Sequence, residues 1–331
     1  MDQRPLGRTG LRVSALGFGC GNVGGLMIRG TPAERERALG RALELGINYF
    51  DTAPSYGDGV SERQLGQALR AVGASPLVGT KFRVDREDLG DVAGAVRRSL
   101  DASLGRLGLE RVDLLQLHNP IAGEAAPRRV TPAEVLDQVV PALEALRRAG
   151  KIGHYGITAL GDTDALHAVA AAGTLHTAQV CYNLLNPTAG APAPPGFPAQ
   201  DFRGLLPRAA ATGMGAIVIR VLAGGALSGL LDRHPVAVPT LDPISTGPDY
   251  ATDVARAQRL EPLVREGHAE SLVEAALRFP LGHPAVSTVL LGYSSLAHLE
   301  LAARAVARGP LPPAAVARLG ALWESLAGGG P

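Results

Sequence analysis

Four polar residues stand at the exits of three successive apolar runs. Asp51 and Tyr56 follow INYF, Lys81 follows PLVGT, and His118 closes VDLLQLH. If those runs are adjacent parallel strands, roughly 4.8 Å apart, their C-terminal ends gather a carboxylate, a phenol, an ammonium and an imidazole into one pocket. Lys81 is the most informative of the four. The chain carries 32 Lys plus Arg, yet only Lys81 and Lys151 are lysines. On a solvated surface either cation serves, whereas a site that needs an amine with a tunable pKa cannot use a guanidinium. Lys81 is therefore read as kept for chemistry. Lys151, near a predicted helix end, is read as one that escaped a drift towards Arg.

The chemistry follows from the residue types. A free phenol has a pKa of about 10, so Tyr56 alone is a poor proton shuttle near neutrality. A neighbouring ammonium from Lys81 would stabilise the phenolate, and Asp51 would hold Lys81 charged and oriented. A neutral His118 can donate a hydrogen bond to a substrate carbonyl and polarise it. A general acid beside an electrophilic donor, with no nucleophile and no metal cluster, suits hydride transfer to a carbonyl. Tyr56 would then protonate the emerging alkoxide.

The elements that must position these groups alternate between short apolar runs and longer amphipathic segments, the pattern of βα units. Eight runs are counted: 14–19, 47–52, 76–81, 112–118, 152–158, 176–182, 215–220 and 287–292. Thr31-Pro32-Ala33-Glu34 and Thr131-Pro132-Ala133-Glu134 are helix starts with capping boxes, and Gly46 and Gly150 are helix stops. Eight units favour a closed (β/α)8 TIM barrel spanning 1–331 as one domain. It is expected to carry an N-terminal hairpin, long βα loops at 186–200 and 223–268, and a C-terminal helix over 312–328. In that helix Leu319, Leu322, Trp323 and Leu326 share the apolar face, which makes Trp323 a packing residue.

Gly19-Cys20-Gly21-Asn22-Val23-Gly24 matches GxGxxG after a strand. A dinucleotide fold of the Rossmann type needs its helix to start within that glycine turn. Here the helix start at Thr31 comes seven residues after Gly24. Gly19 to Gly30 is read as a flexible first loop bordering the pocket, with Cys20 a small buried side chain and Asn22 a possible neighbour of substrate. A net charge of +1 without runs of like charge gives no footprint for nucleic acid. Two cysteines without metal-ligand spacing, no apolar leader and no long apolar stretch point to a soluble cytoplasmic protein with neither membrane nor nucleic-acid partner.

Read together, RPLGRTGLRVSALGFGCG, INYFDTAPSYGDGVSERQLGQAL, VGTK, RRSLDASLGRLGLERVDLLQLHNP, GKIGHYGIT, AQVCYNLLNP and VSTVLLGYSSLAHLE give a chain that resembles the aldo-keto reductase family nearly end to end. The resemblance implies a (β/α)8 barrel that binds NADP or NAD in extended form without a Rossmann domain. It makes Asp51, Tyr56, Lys81 and His118 a catalytic tetrad, with Tyr56 as general acid/base. It places Gln179 and Thr158 on the nicotinamide carboxamide, while Ala159 stands where the family has Asn. Arg220, Leu222, Gly224 and Leu227 match the segment beneath the cofactor. Arg220 stands for an aromatic stacking residue of some branches, and a salt bridge at the barrel rim is the other reading for it. At the adenosine end Gly292, Ser294, Ser295 and His298 match cofactor-binding positions. Leu301 and Ala302 occupy the places of a Glu-Asn pair often found on adenine. The family pattern favours NADP, yet no Lys or Arg follows Gly292 at the usual place; Arg256 or Arg259 from the long loop is the candidate replacement. The substrate is expected to be a small carbonyl, alcohol or sugar.

Two other functions compete with the oxidoreductase. One is a cofactor-binding regulatory or interaction subunit with little turnover, since fold alone does not separate it from an enzyme. The other is a metal-dependent hydrolase, which needs several His or carboxylate ligands at strand ends. Only Asp51 and His118 qualify, and His154, His167 and His176 are assigned to core or surface.

Overall fold

All eight apolar runs form strands, each ending within two residues of its expected bounds: β1 (Leu16–Gly19), β2 (Tyr49–Asp51), β3 (Leu77–Phe82), β4 (Val112–Leu117), β5 (Ile152–Thr158), β6 (Thr177–Cys181), β7 (Gly215–Ile219) and β8 (Val286–Gly292). They are parallel, and β8 returns to pair with β1 through Val289 to Leu16 and Gly292 to Gly19, closing the barrel. Closure leaves no unpaired edge among these eight strands, which removes the usual route to edge association for them. The structure, a computed structural model, describes residues 1–328. Of the span 1–331 read as one unit, residues 329–331 lie outside the described residues.

The N-terminal hairpin pairs Gln3–Pro5 with Arg12–Ser14 and closes one end of the barrel. Leu6 and Val13 from this segment pack with Tyr49, Leu114 and Ile217 inside the barrel. Arg8 donates to the carbonyls of Thr212 and Gly173, both at 2.6 Å, in the loops that lead into β7 and β6. The N-terminal mouth is thereby filled, and the polar residues lie at the other end, as in barrels of this type.

The helix signals act as expected. Thr31 and Thr131 each form a reciprocal capping box with the Glu three residues on. Gly46 and Gly150 stop their helices in the left-handed conformation, which glycine adopts without steric cost. The second of these helices is irregular: after Pro132–Glu134 comes a π-helical turn, Val135–Val139, and then the helix Val140–Arg148. Pro141 accounts for it, because its ring has no N–H and crowds the carbonyl one turn earlier.

Two loops are more ordered than expected. The Gly19–Gly30 connection is not a flexible loop: Leu26–Arg29 forms one helical turn that buries Leu26 and Met27. The 223–268 stretch contains the helices Tyr250–Gln258 and Pro262–Arg265 and a 3₁₀ segment, Ala223–Ser228. Asp249 caps the first by accepting from the Thr252 N–H at 2.7 Å. The C-terminal helix Pro313–Gly328 buries Leu319, Leu322, Trp323 and Leu326. Trp323 donates its indole N–H to the Leu184 carbonyl at 2.9 Å, so it packs, as expected, over the loop after β6.

Candidate active site

Strand register brings the four polar residues together. Asp51 ends β2 opposite Gly79 of β3, and Lys81 follows two residues later on the same inward face. Their side chains form a buried ion pair between Lys81 Nζ and Asp51 Oδ1. Lys81 also donates to the Thr52 carbonyl at 2.8 Å. Its nitrogen lies 4.9 Å from the centre of the Tyr56 ring. Tyr56 reaches this place from a tight turn in which Gly57, Asp58 and Gly59 all have left-handed backbones. The His118 ring stands edge-on to Tyr56 with centroids 6.0 Å apart, one residue beyond β4, where its N–H bonds to the Phe82 carbonyl at 2.8 Å.

The electrostatics suit the assigned roles. Burial works against a charged Lys81, but the Asp51 carboxylate and the Tyr56 oxygen outweigh it and raise the pKa above that of a free lysine. His118 is pushed down to about 2, first by burial and then by the positive charges of Lys81 and Arg83. Its imidazole is therefore neutral at any working pH and has one N–H to donate.

Behind the ion pair lies a second layer. Asp51 Oδ2 accepts from the Tyr49 hydroxyl at 2.8 Å and from Gln179 Nε2 at 2.7 Å. Gln179 Oε1 in turn accepts from the Thr158 hydroxyl at 3.2 Å. The carboxylate fixes the amide, because the reverse orientation would set oxygen against oxygen. Tyr49 is held in the barrel by two glycines: a Cβ on Gly79 would sit 2.7 Å from its hydroxyl, and one on Gly17 would sit 3.2 Å from its ring. Burial, then the charge of Asp51, pushes the Tyr49 phenol well above its usual pKa, so it serves as a donor.

The residues matched to cofactor positions lie at or after the C-terminal ends of β5 to β8. Thr158 and Gln179 are joined as above, and Ala159 is wholly buried with no polar side chain. Leu222 and Gly224 lie on the turn after β7. Leu227, on the same turn, is buried in the core. Gly292 ends β8, and the Ser294 hydroxyl donates to the Gly24 carbonyl at 2.7 Å. Ser295 caps the helix Leu296–Ala307 by accepting from the His298 N–H. The His298 ring meets His234 edge-on at 5.4 Å. Leu301 is exposed and Ala302 buried.

Arg256 and Arg259 do not replace the missing cation there. Arg256 is committed to Asp253 and to the carbonyls of Thr246 and Leu185. Arg259 bonds to the Ser325 carbonyl on the C-terminal helix. Nor does Arg220 make a rim salt bridge: among the described residues no carboxylate pairs with it, and its Nη1 is buried without a partner.

Four supporting residues escaped the sequence reading. Tyr49 lay inside an apolar run, where its inward parity with Asp51 was the available signal. Ser61 bridges the Thr52 hydroxyl and the Cys20 carbonyl, both at 2.8 Å. Glu62, on the apolar face of the helix Val60–Val72 with Leu65 and Leu69, is wholly buried between Thr80 and Arg106, at 2.7 and 2.5 Å. A carboxylate at that helical spacing was its signal. Asn119 clamps Val84 through its N–H at 2.9 Å and its carbonyl at 2.8 Å, tying the turn after His118 to the one after Lys81.

Cys20 is buried, as expected, while Asn22 gives its carbonyl to Arg29 at 2.7 Å. His154 and His176 meet edge-on at 5.2 Å near the N-terminal ends of β5 and β6, and His167 bonds to the Phe202 carbonyl. Among the described residues no three His, Cys, Asp or Glu side chains gather as a metal-binding group, and no helix is long and apolar enough to cross a membrane.

Comparison with known proteins agrees with this geometry. Residues 15–324 match the Aldo/keto reductase family. The chain is 30% identical over 306 residues to L-galactose dehydrogenase of Arabidopsis thaliana, spanning 91% of this chain and 86% of that one. It is 30% identical over 341 residues to D-threo-aldose 1-dehydrogenase of a Pseudomonas species, spanning 94% and 95%. Its fold is similar to that of an aldo-keto reductase from Bacillus halodurans solved in holo form, with a TM-score of 0.70 and 26% identity over 98% of this chain and 96% of that one. The family match across most of the length, and a closed barrel with its polar cluster at the strand ends, lead to one conclusion: the chain belongs to the aldo/keto reductase family.

Proposed function

We propose that this oxidoreductase moves a hydride between a nicotinamide and the carbonyl or alcohol carbon of a small aldehyde, ketone or aldose, with Tyr56 as general acid/base. The observation that carries the reading is the buried Lys81 ammonium, paired with Asp51 and 4.9 Å from the Tyr56 ring. The ammonium there stands beside the phenol oxygen that passes its proton to an alkoxide in general acid catalysis. His118, neutral, donates its N–H to the carbonyl oxygen and stabilises the charge that develops on it. Asp51 keeps Lys81 charged, and Tyr49 and Gln179 keep Asp51 in place.

The residues present fit a dinucleotide. Gln179 Oε1, with one lone pair left beside Thr158, suits a carboxamide N–H. The N-terminus of the twelve-residue helix Leu296–Ala307, next to Ser294 and Ser295, suits a phosphate. When bound, the nicotinamide supplies or accepts the hydride. Either NADP or NAD is compatible with these contacts, and the cation expected around a 2′-phosphate is missing at His298.

The direct test is steady-state oxidation of NADPH and NADH by a panel of aldehydes, ketones and sugars, run also in the direction of sugar oxidation. Turnover that rises with carbonyl concentration supports the enzyme. Tight dinucleotide binding with negligible turnover across the panel would instead favour the regulatory subunit.

A further inference from the structure

Arg83 follows β3 at the mouth of the barrel, and the residues around it show which way its side chain points. Lys81 is buried on the inward face, in its pair with Asp51, while Phe82 and Val84 are buried in the apolar core. Successive residues of a strand take opposite faces. Arg83, between two core residues, therefore shares the inward face of Lys81, roughly 6.6 Å further toward the rim. Unlike Lys81 it is exposed, as a residue of the open mouth must be.

Strand pairing sets Arg83 beside His118. Phe82 pairs with Leu117, and the Phe82 carbonyl accepts from the His118 N–H at 2.8 Å, so the next residues on the two strands are neighbours. The pairing is continued by a side chain: Asn119 Oδ1 accepts from the Val84 N–H at 2.9 Å, and Asn119 Nδ2 donates to the Val84 carbonyl at 2.8 Å. The backbone on both sides of Arg83 is thus bonded to His118 and to the residue after it. The charge of Arg83 is felt at the imidazole, where it adds to burial and Lys81 in holding the pKa low.

That charge is not neutralised within the protein. Arg86, three residues on, pairs with Glu134 at 2.8 Å, whereas among the described residues no carboxylate pairs with Arg83. Around the barrel β3 stands opposite β7 and β4 opposite β8. The segments matched to the dinucleotide after β7 and β8 accordingly lie across the mouth from Arg83, which leaves its charge facing the substrate side of Tyr56 and His118.

We propose that Arg83 is a specificity residue that receives the carboxylate or phosphate of a short aldehyde or sugar while His118 and Tyr56 hold the carbonyl oxygen. The inference rests on the oxidoreductase reading and narrows its substrate class. A planar guanidinium takes such groups through two charge-assisted hydrogen bonds, for which an uncharged chain of the same length has no counterpart.

The test compares matched substrates: succinic semialdehyde with butanal, and glyceraldehyde 3-phosphate with glyceraldehyde. In the wild type the charged member of a pair should have the higher kcat/KM, and the two pairs separate carboxylate from phosphate. In Arg83→Gln the charged-to-neutral ratio should fall by about 10-fold, the scale of a charge-assisted contact in an open site. Arg83→Lys, which keeps the charge but not the fork, should fall between. Added salt should weaken the preference in the wild type and have little further effect on it in Arg83→Gln. A second readout needs no turnover: succinate or inorganic phosphate, against chloride at equal ionic strength, should raise the melting temperature of the wild type more than that of Arg83→Gln.

Turnover without preference for the charged member of either pair would overturn the subsite and leave the oxidoreductase reading intact. A preference that survives unchanged in Arg83→Gln would also overturn it, by placing the anion elsewhere. Should no carbonyl or sugar turn over while the anion-induced stabilisation still depends on Arg83, the oxidoreductase reading fails and the anion site stands.

Discussion

At the scale of single residues, the site depends on one carboxylate whose neighbours are arranged to hold it still. Asp51 accepts from Lys81, Tyr49 and Gln179. Tyr49→Phe removes one donor and leaves the ring. A hydrogen bond to a charged group is worth about 1.5–3 kcal/mol, so the variant should unfold at correspondingly lower denaturant; an unchanged midpoint would show that the Tyr49 bond contributes nothing. Lys81→Arg keeps the charge but should still lose most activity, because the fork does not fit where a compact ammonium contacts Asp51, Thr52 and Tyr56. Near-normal kcat in that variant would remove Lys81 from the account. His118, pushed down to about 2, does not titrate between pH 5 and 7. The pH profile of kcat/KM should therefore show no acidic limb belonging to it. A limb near 6.5 that disappears in His118→Gln would contradict this.

At the scale of elements, strand register decides which side chains meet. Asp51 faces Gly79, and Gly79 lacks a side chain because Tyr49 fills the space next to it. Gly79→Ala should thus push on the Tyr49 hydroxyl, and the damage should shrink in a Tyr49→Phe background. Unfolding measurements on the two single variants and the double variant give the coupling; strictly additive losses would mean that the two strands do not share this contact. The eight strands, the capped helices and the tetrad were legible because period, caps and the position of polar residues after apolar runs are local signals. Glu62 and Asn119 were less so, since their partners are 18 and 35 residues away in sequence and only the fold brings them together, while Tyr49 was hidden by the apolar run around it. The segment after β8 remains the weakest element for cofactor choice. His298→Arg should raise affinity for NADPH more than for NADH, because a guanidinium pairs with a 2′-phosphate and gains little from a ribose hydroxyl. Equal changes in fluorescence titrations of the two cofactors would put His298 away from that phosphate.

At the scale of the whole molecule, both ends of the barrel hold histidines that fold in the neutral form. His176 is pushed down to about 4 by burial, then by His154 and nearby arginines, and His118 lies lower still. Their unfolded pKa is about 6.5, so below that value the unfolded chain binds more protons than the folded one. Stability is then fully present above about pH 6.5 and is lost as pH falls towards 4. Denaturation midpoints should drop between pH 7 and 5, with a shallower slope in His176→Gln; a flat profile would contradict the buried neutral histidines. The proposed reaction requires that Tyr56, held at the strand ends of the barrel, deliver a proton to the reduced carbonyl. The most direct measurement is single-turnover reduction of a good substrate by preloaded NAD(P)H in wild type and Tyr56→Phe, with dinucleotide affinity determined for both. The account predicts a chemical step slower by about 10²- to 10⁴-fold at nearly unchanged cofactor affinity, and a wild-type rate in Tyr56→Phe would contradict it.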